Sequence, residues 1–122
     1  MAPRSEFELV VLFGSMASGV ARPDSDMDVA ILPSGPFSAA DEARLVDELE
    51  RVSGRDVDLV RLDRVDDVVL RREIARGVPV REQTPGGFAR FAADAALEWL
   101  DLEPVYNDAQ ARFLRRIAER IP

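Results

Sequence analysis

Leu12-Phe13-Gly14-Ser15, followed after ten intervening residues by Asp26-Met27-Asp28, is the stretch on which the fold of this chain turns. Upstream, Phe7 to Phe13 reads FELVVLF, a short apolar run of strand length rich in Val, Leu and Phe. Gly14 allows a sharp turn and a close backbone approach to a ligand, because no side chain stands in the way. Ser15 stands where a helix over residues 16–18 can begin, and serine is a favoured N-cap. Unpaired backbone N–H groups there, with a hydroxyl beside them, form an anion site. Taken alone, Gly-Ser after a strand also describes an ordinary strand-to-helix turn.

The carboxylates narrow the choice. Asp26 to Leu32 reads as a second strand, in which residues two apart point to the same face. Asp26 and Asp28 on one face repel each other unless a cation lies between them. A hard divalent ion with oxygen ligands, Mg²⁺ or Mn²⁺, suits such a site. The competing reading is a pair of exposed strand-end aspartates, since Pro23-Asp24-Ser25 just upstream is already polar turn chemistry. A third strand pattern, Arg55-Asp56-Val57-Asp58-Leu59-Val60, follows the break Ser53-Gly54. Asp58 lies inside its apolar part, where a charge needs a reason to be. If that strand lies beside the second one, Asp58 joins the metal site and can take a proton from an attacking hydroxyl. Asp56, nearer the strand start, reads as a solvated edge residue.

Working outward, a strand at about 8–13 leads through a short helix at 15–20 to a strand at 27–32. Pro33-Ser34-Gly35-Pro36 breaks the chain, and Ser38 can cap a helix over about 39–53. Its expected apolar face is Ala39, Ala43, Val46, Leu49 and Val52. A strand at 57–61, a helix at 65–76 stopped by Gly77, and a strand at 78–82 complete the core. Pro85-Gly86-Gly87 reads as a linker. Beyond it, Phe88, Phe91, Ala92, Ala95 and Trp99 share one helical face, and Val105, Ala109, Phe113, Ile117 and Ile121 share another. Pro104 between them predicts two helices, the second opening on a first-turn proline. The first stripe suits packing on the sheet, whereas the last suits either the sheet or a partner. The expected architecture is α/β, a small mixed β-sheet flanked by helices with two C-terminal helices, divided into a core at 1–84 and a helical extension at 85–122 packed on the core or on a partner.

Composition sets the bounds. The 122 residues allow one domain with a modest core. There is no apolar run of spanning length and no signal-peptide pattern, so a cytoplasmic protein is expected. Without cysteine or histidine, disulfides, thiolate sites and imidazole catalysis are excluded, and acid–base work falls to carboxylates with a metal as helper. The net charge of −7 argues against direct nucleic-acid binding, since basic residues gather only at Arg112, Arg115, Arg116 and Arg120. An acidic body suits docking to a basic protein.

A phosphate cradle beside paired carboxylates is what transfer of a nucleotidyl group needs. Gly14-Ser15, Asp26-x-Asp28 and the later Asp58 together resemble the polymerase-beta-type nucleotidyltransferase superfamily, in particular its minimal nucleotidyltransferase (MNT) branch. The surrounding residues, Gly19 and Ala21-Arg22-Pro23-Asp24-Ser25-Asp26-Met27-Asp28-Val29, are similar too, as is Glu73-Ile74-Ala75-Arg76-Gly77-Val78-Pro79-Val80. The likeness covers about residues 6–82. It implies a nucleotidyltransferase fold, Asp26, Asp28 and Asp58 as catalytic and metal-binding residues, Gly14 and Ser15 as nucleotide-binding residues, two Mg²⁺ ions as cofactor and ATP as substrate. The branch includes MntA-type antitoxins paired with HEPN-domain toxins, which implies transfer of AMP to a toxin tyrosine. One departure stands out. Many relatives read GSRARG at the Gly-Ser helix, whereas this chain has Met16 and Ser18 at the arginine positions. Met16 reads as packing, and Arg22, Arg71, Arg72 or Arg76 are candidates to compensate. A contact-only antitoxin with a relic active site and a small-molecule transferase of the aminoglycoside-modifying kind are the alternatives.

Overall fold

The computed structural model describes residues 6–19, 22 and 24–122. The strands are β1 (Phe7–Phe13), β2 (Met27–Pro33), β3 (Val57–Arg61) and β4 (Val78–Glu82), and the helices are α1 (Ser15–Ser18), α2 (Ala39–Ser53), α3 (Val68–Ala75) and α4 (Gly87–Arg120). They form one mixed sheet in the order β3-β2-β1-β4. β1 runs antiparallel to both neighbours, while β2 and β3 are parallel and joined through α2, the helical crossover that a parallel pair requires.

The alternation of side chains along β1 and β2 divides the core between two faces. On one face Leu9, Val11, Phe13 and Ala30 meet Leu62 and Ile74, with Phe88 and Phe91 of α4 packed against them. On the other, Val29, Ile31 and Val57 lie under Leu45, Val46 and Leu49 of α2. α2 is fixed at both ends. The Ser38 hydroxyl accepts from Asp41 N–H and the Asp41 carboxylate accepts from Ser38 N–H, while Gly54 closes the helix in the left-handed region. Its buried arc differs from the expected one. Leu45 takes part, Ala39 and Ala43 face solvent, and Val52 in the last turn is 78% exposed. Ala43 lies off the arc that Leu45, Val46 and Leu49 define, while Ala39, seven residues before Val46 and nearly in line with it, is the first residue of the helix, where the buried stripe has not yet begun.

Two shorter helices are trimmed relative to expectation. α1 ends at Ser18, followed by Gly19 in the left-handed region, and α3 starts at Val68 because Asp67 caps it by accepting from Val69 and Leu70 N–H. The larger correction concerns the C-terminal region. In place of two helices there is one, α4, with 34 residues and Pro104 inside it. The proline removes the bond to the carbonyl of Leu100, and because Leu100 and Pro104 are both exposed the loss falls outside the core and the helix continues. The proximal half of α4 packs on α3 and β1. Arg71 grips Glu98 with three bonds, at 2.9, 3.1 and 3.3 Å, Arg72 stacks 4.6 Å over the Trp99 ring, and Ala95 is fully buried. Beyond Glu103 every residue of the helix is exposed, Phe113, Leu114 and Ile117 included.

Candidate active site

The carboxylates meet at one end of the sheet because of register. Phe13 pairs with Asp28 across the antiparallel β1–β2 ladder, and Asp28 pairs with Asp58 across the parallel β2–β3 ladder. Strand alternation then sends Asp28 and Asp58 to the same face, the one carrying Ala30 and Val60. Asp26 immediately precedes β2, with the same parity as Asp28. Asp28 is half-buried, while Asp26 and Asp58 are exposed. Burial raises the Asp28 carboxyl above the ordinary carboxylate range, and the negative charges of Asp58, Asp26 and Glu73 push it further the same way. Asp56 is exposed, as an edge residue should be, but its main-chain carbonyl accepts from Met27 N–H at 2.8 Å.

Gly14 closes the site from the side of β1. Its φ of 71° and ψ of −146° belong to a region that residues with a Cβ avoid. A Cβ there would also overlap an Asp28 carboxylate oxygen and stand 3.2 Å from Asp28 Cγ. Glycine is therefore required twice, by the backbone and by the carboxylate. Ser15 is the first helical residue, not the cap. Gly14 occupies the cap position and α1 has no side-chain cap bond, because the helix starts directly from the glycine turn. The expected packing role of Met16, the side chain of Ser18, and Val20, Ala21 and Pro23 of the spacer lie outside the described residues.

Two of the arginines proposed to compensate for the missing basic pair are engaged elsewhere. Arg71 and Arg72 hold α4 through Glu98 and Trp99. Glu73 is the participant that sequence reasoning missed. It sits on α3 beside the buried Ile74, and only the packing of α3 across the sheet brings its charge near Asp28.

The donors available are carboxylate oxygens, which suits a hard divalent cation. The charge crowding at Asp28 is the electrostatic condition that such a cation relieves. Among the described residues no three acidic side chains converge tightly enough to form a ready-made metal cluster. An ion held by Asp26, Asp28 and Asp58 would require these side chains to draw closer than they stand here. Among the same residues no helix is long and apolar enough to cross a membrane.

This mixed sheet, with a glycine turn beside strand-end carboxylates, is the nucleotidyltransferase fold. Residues 1–85 match the family described as "Polymerase beta, Nucleotidyltransferase", and the chain belongs to that family. Solved structures of toxin–antitoxin complexes share the fold. One, a toxin–antitoxin with AMP-PNP, is 23% identical with a TM-score of 0.69, over 87% of this chain and 88% of that one. A mutant MntA–HpeT pair is 22% identical with a TM-score of 0.70, over 86% and 87%. A third, a tri-AMPylated Shewanella oneidensis HEPN toxin in complex with its MNT antitoxin, is 22% identical with a TM-score of 0.62, over 86% and 84%. No curated protein matches the chain.

Proposed function

We propose that this chain is an antitoxin that transfers AMP from ATP to a hydroxyl, a tyrosine in this reading, of a cognate HEPN toxin and thereby neutralises it. The observation that carries the reading is the level pair Asp28 and Asp58 on neighbouring strands, with Gly14 abutting Asp28. The MNT antitoxin complexes with AMP-PNP and with an AMPylated toxin support it.

In this mechanism the backbone N–H groups at Gly14 and Ser15, with the Ser15 hydroxyl, hold the β- and γ-phosphates. Asp26, Asp28 and Asp58 would hold the metal, two Mg²⁺ ions in this reading, which would supply charge neutralisation for the phosphates. Asp58, the more exposed of the level pair, accepts the proton of the acceptor hydroxyl. The hydroxyl oxygen bonds to the α-phosphorus, the bond to the bridging oxygen of the β-phosphate breaks, and pyrophosphate leaves. The toxin docks on the bare distal half of α4, where Val105, Phe113, Ile117 and Ile121 form an unpartnered stripe beside Arg112, Arg115 and Arg116. Residues 1–84 then act as the transferase core, 85–122 as its docking extension, and the cytoplasm as the place of action.

The test is the intact mass of the HEPN-domain protein encoded beside this chain, after incubation with the chain, ATP and Mg²⁺. AMP-sized additions that disappear with Asp26→Ala plus Asp28→Ala are expected. A bound but unmodified toxin selects the contact-only antitoxin, and neither binding nor modification returns the question to small-molecule acceptors.

A further inference from the structure

We infer that Arg55 is a positioning residue for the carboxylate site, locking Asp26 in place by gripping the main chain on its N-terminal side; the inference rests on the function proposed above. Its Nη1 donates to the carbonyl of Arg22 at 2.7 Å and to the carbonyl of Ser25 at 2.9 Å. One guanidinium nitrogen carries two hydrogens, so both bonds form at once. The segment being gripped is already a closed turn. Ser25 N–H donates to the Arg22 carbonyl at 3.0 Å, and Arg22 N–H donates to the Ser25 hydroxyl at 2.8 Å.

Asp26 follows this turn directly, and its other flank is tied to the same place. Met27 N–H donates to the carbonyl of Asp56, the residue next to Arg55. Asp26 is thus held on both sides by consecutive residues, 55 and 56, which lie three and two positions before Asp58. Arg55 is itself fixed from below, because its own N–H donates to the Ser53 hydroxyl at 3.1 Å. The two carboxylates that approach the site from different strands are therefore referenced to one dipeptide. An exposed Asp26 at a strand entrance would otherwise move with its loop, and loose ligands lose metal affinity and reactive geometry together.

Arg55→Ala removes both carbonyl bonds, and Arg55→Lys keeps a donor that can reach one of them. Three measurements decide. Amide hydrogen exchange across residues 22–28 should speed up at least tenfold in Arg55→Ala, with β1 and the proximal half of α4 unchanged. The Mg²⁺ concentration for half-maximal toxin modification should rise about tenfold, with a smaller loss of rate at saturating Mg²⁺ and partial recovery in Arg55→Lys. Arg44→Ala, an exposed charge change on α2, should alter neither. Unchanged exchange at 22–28 overturns the inference, as does a rate loss that saturating Mg²⁺ leaves intact and Arg55→Lys does not lessen. If Arg55→Ala fails to fold, the Arg55→Lys exchange and Mg²⁺ profiles decide by the same criteria. A wild-type chain that modifies no toxin counts against the proposed function alone, since the exchange measurement still tests the grip.

Discussion

Replacing Gly14 by alanine separates two demands that the structure makes of one residue. The first is conformational. At φ 71° and ψ −146° a non-glycine residue costs about 1–3 kcal/mol. With an unfolding entropy of about 2.1 cal/mol/K per residue, each kcal/mol lowers the Tm of a 122-residue domain by roughly 4 °C. The second demand is steric, because the new Cβ overlaps the carboxylate of Asp28, which must swing away. A displacement of about 1 Å at a reacting centre can cost about 100-fold in rate. Gly86→Ala is the control. Gly86 also has positive φ, 85°, but a Cβ there meets nothing within 4 Å, and it follows the end of β4 that pairs with Leu9, away from the carboxylates. Gly86→Ala should therefore lose about 1–2 kcal/mol with transfer unchanged, whereas Gly14→Ala should lose comparable stability and about 100-fold in transfer. Thermal unfolding and toxin-modification rates on the three proteins supply the data. Equal transfer rates in the two alanine variants would refute the steric role assigned to Gly14.

Further outcomes follow from other parts of the structure. Asp28 keeps its proton to higher pH folded than unfolded, so the folded state binds more protons between the ordinary value of 3.8 and its raised one, and stability falls as pH rises through that window. Asp28→Asn should then be more stable than wild type at neutral pH without metal, with the advantage vanishing near pH 3. Equal Tm values at pH 7 would contradict the charge crowding. Phe113→Glu, on the exposed distal half of α4, should leave Tm within about 0.5 kcal/mol equivalent yet abolish toxin capture in a pull-down; a toxin still captured at full strength removes that surface from the interface. Pro104→Ala restores an intrahelical bond and should raise helicity and stabilise by up to about 3 kcal/mol, read by circular dichroism and denaturant titration.

The core of the fold was legible because its signals are local. Apolar runs bounded by Gly14, by Pro33 to Pro36 and by Ser53-Gly54 mark three strands, and Ser38 with Asp41 and Gly54 marks both ends of α2. That Asp28 and Asp58 share a face was legible through strand parity, and register then sets them side by side. What the sequence did not show depends on tertiary contact. Glu73 approaches Asp28 only because α3 packs across the sheet, and Arg71 and Arg72, offered as candidates to compensate for the missing basic pair, hold α4 instead. Pro104 misled for a different reason: the first turn is where a proline costs a helix least, yet here it sits inside a helix, at a place where the residues on both sides of the lost bond are exposed.

The continuity of α4 turns it into a ruler. Thirty-four residues at about 1.5 Å each make a rod of about 50 Å, seated on the core at one end and bare at the other. Whatever grips the far end is tied to the core through one continuous helix. A single residue inserted near Pro104 would advance the distal stripe by about 1.5 Å and rotate it by about 100°, so for a partner seated there, as proposed, the length of this helix would set its bearing on the carboxylate edge in whole-residue steps.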